Sequence, residues 1–415
     1  MGKLFLIRFL SIQSEKEISK MINYPKVILK QGREHSIKRF HPWIFSGAVS
    51  RVDEGLEEGD LVAVYSANEE FLGIGHIAIG SIVVRIISFE EAEINLDFWV
   101  SKFKSACKMR KAIGLYGTAD NNVFRLVHGE GDGLSGLIID FYAGTAVIQC
   151  HSVGMYLHRE DIANALLAVL GDDLKAVYDK SEGTIPFKSG IEPKNEYLYG
   201  NVDSFVALEN GLKFNVDWLK GQKTGFFIDQ RENRSLLEQY SKGRSVLNMF
   251  CYTGGFSFYA MRGGADLVHS VDSSARAIEI TKENVALNFP GDTRHEAFSE
   301  DAFKYLDKSG GKYDLIVLDP PAFAKHKKVL GNALKGYRRL NTIGFEKIRS
   351  GGILFTFSCS QAVSREDFRK AIFEAAASAG RTVRILHQLT QPADHPVNIY
   401  HPEGEYLKGL VLYVE

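Results

Sequence analysis

The sequence predicts an α/β protein in which a doubly wound parallel sheet fills the C-terminal half, behind a small β domain and a central α+β domain. Three observations carry this. From about residue 200, apolar β-branched runs alternate with amphipathic stretches, the pattern of a parallel sheet covered by helices. Between Pro25 and residue 92 the apolar runs are short and broken by Asn68, Gly73, Gly75 and Gly80, as in a small β unit. Residues 93–195 mix a helical period with returning strand signals. A chain of 415 residues also exceeds what one core comfortably serves.

Taken in order, "KVIL" and then "DLVAVYSANEEFLGIGHIAIGSIVVRIIS" supply the strands of the first unit. In "DFWVSKFKSACKMRKAIG" apolar residues recur at three and four, predicting a helix that closes on Gly114. "RLVHGEGDGLSGLIIDFYAGTAVIQC" reads as strands, "YLHREDIANALLAVLG" as a helix, and "LKAVYD" as a strand before a polar linker around "FKSGIEPKNE". The C-terminal sheet then takes "SVLNMF", "LVHSVD", "YDLIVLDPP", "GGILFTFSCS", "VRILHQ" and "GLVLYVE" as strands. "FSFYAMRGG", "SARAIEITKENVALN" and "REDFRKAIFEAAASAG" are the helices between them. The expected divisions are a 1–23 extension and units at 24–92, 93–195 and 196–415.

Apolar residues are 45% and charged residues 24%, which excludes a disordered chain. No apolar stretch approaches the roughly 18 to 20 residues that span a bilayer. The start, "MGKLFLIRFLSIQ", matches an export signal poorly because Arg8 interrupts it and no small-residue cleavage site follows; Met21 is the more natural beginning of the folded part. Cys107, Cys150, Cys251 and Cys359 are far apart with no CxxC pair, so neither a cysteine zinc site nor a disulfide framework is expected, no metal is assigned, and a reducing cytoplasm fits best. The formal net charge is −1, yet residues 322–345 carry six Lys and Arg without an acid, and residues 25–47 carry five against Glu34 alone. A charge run is commonly a solvated face; two in a neutral protein point to a polyanion.

In a doubly wound sheet, ligands bind at the carboxyl ends of the strands. The first such strand ends in "NMFCYTGGFS", where Gly254 and Gly255 are adjacent and neither a dinucleotide fingerprint nor a phosphate-binding loop is present. That leaves a tight turn approaching a ligand without phosphates. Asp272 ends the next strand, where a carboxylate can accept from two ribose hydroxyls. The pair suits S-adenosylmethionine; the plainer alternative is a glycine turn beside a helix-capping acid. Asp229 and Glu232 have the spacing of a capping box, and Asp301 fits either an adenine contact or a helix cap. Gln222, Lys223, Thr224, Gln230 and Arg231, beside Phe226 and Phe227, look like a ligand wall.

"LDPPAFAKHKK" puts Asp319 at the mouth of the "YDLIVLDPP" strand on a turn stiffened by Pro320 and Pro321. An acid after an apolar strand is costly without a partner, which favours a ligand-binding role. Cys359 ends the strand expected beside it. A lone cysteine is usually a small core residue. Beside Asp319 it gains a chemical use: thiolate addition at C6 of a pyrimidine makes C5 nucleophilic enough to take a methyl group, and Asp319 can serve cytosine N3. Methylating an amino nitrogen needs no thiol.

Together, "QREHSIKRFHPWIFSGAV", "GQKTGFFIDQRENR", "NMFCYTGGFSFYA", "VLDPPAFAK", "TFSCSQ" and "ADHPV…YHPEGEYLKG" resemble the RlmI-type 23S rRNA cytosine-C5 methyltransferases over roughly residues 24–415. The resemblance implies an N-terminal PUA domain, a small central α+β domain and a class I, Rossmann-like, seven-stranded methyltransferase domain. It implies Cys359 as nucleophile, Asp319 at the cytosine, and Asp272 at the cofactor ribose. Gln230, the loop through Phe250, Tyr252 and Gly254, Asp301 and Asp319 complete the expected S-adenosylmethionine pocket. Ala322 follows Pro-Pro where another branch of cytosine-C5 enzymes carries a second cysteine, so Cys359 is expected to act as the lone thiol. Asp394 and His395 are candidates for the base, or for loop stabilisers. The expected partner is RNA, as 23S rRNA or a pre-ribosomal large subunit, with no membrane and with a homodimer left open. The rival readings are methylation of a base nitrogen such as guanine N7 and a non-catalytic RNA-binding assembly factor.

Overall fold

The structure is a computed structural model that describes residues 24–415 apart from residues 187–189, 203 and 325. The expected 1–23 extension lies outside the described residues, as do residues 187–189 of the polar linker and residue 325 of the basic segment. Among the described residues no helix is long and apolar enough to cross a membrane.

The first sheet contains β1 (Lys26–Leu29), β2 (Trp43–Phe45), β3 (Val49–Val52), β4 (Leu61–Tyr65), β5 (Phe71–Ile77) and β6 (Ile82–Ser88) in the order β2-β6-β5-β4-β1-β3. Its inward residues, Val27, Leu29, Ile44, Val62, Val64 and Val84, are fully buried and form their own core. The sequence-predicted small β unit is therefore a sheet wrapped on alternating apolar positions.

Next come α1 (Leu96–Ala112), β7 (Val123–His128), β8 (Leu137–Tyr142), β9 (Thr145–Cys150), α2 (Val153–Leu157), α3 (Arg159–Leu170), β10 (Ala176–Asp179) and β11 (Glu196–Tyr199). Asn95 caps α1 by accepting from the Phe98 amide at 3.1 Å. The single helix expected over "YLHREDIANALLAVLG" is two, broken at His158, whose ring packs against His76 and Trp99. The sheet order is β11-β10-β9-β8-β7. Its edge strand β11 lies beyond residue 195, because Tyr197 packs on Tyr178 at 4.9 Å and ties that segment to the central sheet.

The rest is a β12 (Val206–Glu209) and β13 (Leu212–Asn215) hairpin, α4 (Arg231–Tyr240), β14 (Ser245–Met249), α5 (Gly255–Arg262), β15 (Leu267–Asp272), α6 (Ala275–Asn288), β16 (His295–Ser299), α7 (Ala302–Asp307), β17 (Leu315–Leu318), α8 (Leu330–Lys347), β18 (Gly352–Ser358), α9 (Arg365–Ser378), β19 (Val383–Leu389) and β20 (Lys408–Val414). The seven-stranded order is β16-β15-β14-β17-β18-β20-β19, parallel except for β20, which runs antiparallel to both neighbours. β17 and β18 are buried along their whole length because helices cover both faces. Chain order reverses between β14 and β17, so a crevice opens at their carboxyl ends.

Candidate active site

The β14 strand ends in a turn with an unusual backbone: Phe250, Tyr252 and Gly254 have φ of 57°, 48° and 87°. Non-glycine residues in this left-handed region carry strain that the surroundings must hold. Asp272 provides part of the hold. Its Oδ2 accepts from the Tyr252 amide at 3.0 Å and its Oδ1 from the Ser274 amide at 2.9 Å. Thr281 Oγ1 donates to the Tyr252 carbonyl at 3.0 Å. At Gly254 a Cβ would meet Phe258 Cζ at 2.6 Å and Thr281 Cγ2 at 2.8 Å, so packing as well as φ demands glycine there.

Over this turn opens a cavity of about 270 Å³ lined by Gln230, Phe250, Tyr252, Asp272, Asp319 and Cys359, with Phe227 and Asp229 among its other walls. The parallel register, Leu318 beside Thr356, brings Asp319 and Cys359 to the same mouth. Two other surface grooves are larger, one of them an apolar groove along α9 and β19, but neither combines a carboxylate with a thiol.

Gln230 Nε2 donates to Asp319 Oδ2 at 3.0 Å, and Gln230 is itself fixed by Asn233, whose amide donates to its Oε1 at 2.6 Å. Burial, then the nearby charge of Asp229, raises Asp319 to about 7, with the Gln230 hydrogen bond opposing the rise. Asp319 can therefore act as a hydrogen-bond donor near neutrality. Burial and then Asp319 and Asp229 push the Cys359 thiol up to about 12. Cys359 is the partly exposed cysteine; the other three are buried. Near neutral pH Cys359 is a thiol, and attack requires the proton to leave as the bond forms.

Two residues expected in the cofactor pocket stand outside its lining. Gly254 lies beneath it as the packing glycine of the turn, and Asp301 caps α7, accepting from the Lys304 amide at 3.0 Å. The capping box expected of Asp229 is absent. α4 begins at Arg231 after a short turn, and Asp229 instead accepts from the Tyr406 hydroxyl at 2.8 Å and faces the cavity. Of the proposed wall, Thr224 is buried away from the cavity and donates to Asp140 at 2.6 Å, while Arg231 pairs with Asp394. Asp394 is fully buried, accepting from Arg231 Nη2 at 2.6 Å and the Arg125 amide at 2.9 Å. Burial opposes ionisation there, but Arg231 and His395 outweigh it and hold the carboxyl well below its usual range. With both carboxylate oxygens engaged, Asp394 does not line the cavity. His395 Nδ1 lies 3.1 Å from Asp394, and its ring lines a second cavity of about 210 Å³ that shares Phe226, Phe227 and Asp229 with the first.

The sequence reading missed Lys408. It sits in "YLKGLVLYVE" with no local signal, yet β20 pairs it with Ser358, and its buried Nζ donates to the Ser360 carbonyl at 2.6 Å. Burial lowers it to about 8, with the adjacent Cys359 opposing.

The cavity suits S-adenosylmethionine. Asp272 retains lone pairs for ribose hydroxyls, aromatic side chains supply walls for a nucleoside, and no phosphate-binding loop is present. Comparison with known proteins agrees. A family of S-adenosylmethionine-dependent methyltransferases matches over residues 188–408, and a PUA-like domain over residues 27–89. The chain is 39% identical over 395 residues to ribosomal RNA large subunit methyltransferase I of Alteromonas mediterranea, covering 94% of this chain and 98% of the relative. The enzyme of the same name from Aeromonas hydrophila is 39% identical over 394 residues, covering 93% and 98%. Among solved structures, one assigned as a methyltransferase and complexed with SAH superposes with a TM-score of 0.80 at 26% identity, covering 94% of this chain and 99% of that one. A chain from Streptococcus mutans assigned as SAM-dependent gives 0.79 at 25% identity, with the same coverage.

Proposed function

Because the chain belongs to the ribosomal RNA large subunit methyltransferase I family, an S-adenosylmethionine-dependent methyltransferase family, we propose that it forms 5-methylcytosine in 23S rRNA through a covalent Cys359 adduct. The observation that carries the reading is the meeting of Cys359, Asp319 and Asp272 in one cavity. In this scheme Asp272 receives the ribose, and Gln230, Phe250 and Tyr252 enclose the nucleoside. Asp301 sits two residues beyond β16, which neighbours the Asp272 strand, and its free carboxylate oxygen is assigned to the adenine amino group. When bound, S-adenosylmethionine supplies an electrophilic methyl group.

The neutral Asp319 carboxyl donates its proton to cytosine N3 while the thiol of Cys359 adds to C6; the S–H proton replaces the one Asp319 gave. The electron pair displaced from the C5–C6 double bond becomes available at C5, where the methyl group is taken. A carboxylate then removes the C5 proton, the C5–H pair restores the double bond, the C6–S pair returns to sulfur, and the N3 proton passes back through Asp319 to re-form the thiol. Asp229, which shares the cavity, is the candidate acceptor. Lys408 beside Cys359 favours sulfur in its anionic form as the pair returns.

RNA is held, in this reading, by the PUA-like unit and by the start of α8, where Lys327, Lys328 and Lys335 are exposed just past the Asp319 turn. The target nucleotide must leave its stack to reach Cys359.

The test is trapping. RNA containing 5-fluorocytosine, which has no C5 proton to lose, is incubated with the protein and S-adenosylmethionine. A denaturation-resistant protein–RNA complex is expected from the wild type and none from Cys359→Ala. A complex that persists in Cys359→Ala, or full methylation by Cys359→Ser with the methyl group on a base nitrogen, overturns the reading.

A further inference from the structure

Away from the cavity, the loop after β19 meets the segment before β2. His401 and Glu403 come from the first, His41 from the second, and one ligand atom from each lies within 4.8 Å of the other two. Glu403 Oε2 is 3.6 Å from His41 Nε2 and 3.8 Å from His401 Nε2. These separations exceed a hydrogen bond. Tetrahedral zinc with bonds of about 2.0–2.2 Å separates neighbouring ligand atoms by roughly 3.3–3.6 Å, close to the two Glu403 distances.

A second observation is independent of that spacing. His401 is 2% exposed, yet among the described residues neither ring nitrogen has a hydrogen-bond partner. A buried imidazole left unpaired is costly. The ring is nevertheless held firmly: Trp43 packs edge-on against it at 4.3 Å, and the Trp43 indole is anchored by donating to Glu130 at 2.9 Å. His41 is oriented too. Its Nδ1 lies 3.3 Å from the Trp43 carbonyl and 3.2 Å from the Trp43 amide. Metal binding at Nε2 selects the tautomer whose Nδ1–H goes to the carbonyl, a usual outer partner of a ligating histidine, in place of the bond that Nδ1 otherwise accepts from the Trp43 amide.

From these we infer that His41, His401 and Glu403 form a binding site for a zinc-class divalent cation. The donor set of two imidazoles and one carboxylate leaves a fourth position open to water. Imidazole donors disfavour magnesium and calcium. Since His41 belongs to the first β unit and the other two residues to the C-terminal loop, the ion fastens the PUA-like sheet to the methyltransferase domain. The cysteine spacing that argues against a thiolate zinc site has no bearing on ligands assembled by the fold.

The test uses the full chain without an affinity tag, stripped with chelator. Cobalt(II) is titrated and followed by visible absorption, zinc by calorimetry, and the melting temperature is recorded with and without zinc. The expected result is one equivalent of cobalt with the intense visible band of a tetrahedral site, displaced by zinc, and a zinc-dependent rise in melting temperature. His401→Ala loses the band. Should that variant fail to fold, Glu403→Gln at the half-exposed position decides, with affinity expected to fall by at least about tenfold. No stoichiometric cobalt binding by the wild type, or affinity unchanged in Glu403→Gln, overturns the inference.

Discussion

Asp319 is a carboxyl held near 7 by burial and by Asp229, and Gln230 is the brake on that rise, because its amide donates to the charged form. The sign of a pH effect follows. A group that acts as proton donor works below its pKa, so the single-turnover rate of adduct formation is expected to bend downward as pH rises through about 7. In Gln230→Met the opposing hydrogen bond is gone and the bend is expected at higher pH; a bend at unchanged or lower pH contradicts the donor role. Cys359 was legible in the sequence as a cysteine at a strand mouth, and Asp319 as an acid on a stiff turn. Their shared cavity was an inference from strand order. Asp229 was misread because its spacing to Glu232 imitates a capping box, whereas Tyr406, far along the chain, is what engages it. Lys408 carried no signal at all, since its neighbour Cys359 comes from another strand.

At the scale of an element, the turn from β14 into α5 is where local sequence and site agree best. Adjacent glycines announce a tight turn, and Gly254 at φ 87° bears this out. Gly254→Ala adds a methyl group into Phe258 and Thr281 and an unfavourable backbone, for a loss of about 1–3 kcal/mol in urea unfolding. Weaker S-adenosylmethionine binding by calorimetry is expected with it, as the Tyr252 loop shifts off Asp272. The helix caps were less legible. Asp301 satisfied two rules equally in sequence, and the α7 amides are what it contacts. The break between α2 and α3 at His158 escaped notice because periodicity counts apolar positions and not the ring packing that interrupts them.

Across the whole molecule, Asp394 ties three parts together. Its side chain takes Arg231 from α4 and the Arg125 amide from β7, and its carbonyl accepts from Arg110 of α1 at 2.8 Å. Removing one partner of a buried ion pair leaves a charge stranded, so Asp394→Asn is expected to cost about 3 kcal/mol or more in equilibrium unfolding. Its native pKa is depressed, so the stability it contributes is present above the unfolded value, near 4, and is lost as pH falls below that. The Asp394→Asn variant should accordingly show a flatter loss of stability in acid than the wild type. By itself the sequence determined six of the seven strands of the C-terminal sheet and three of its helices, the glycine turn and the strand-end residues, because periodicity and turn chemistry are local and strand ends are where such sheets bind ligands. Only the tertiary structure decided the proton affinity of Asp319 and Cys359, the work of Asp229 and Lys408, and the meeting of His41 with His401. Burial and through-space charge depend on residues distant in the chain, and no local pattern encodes them.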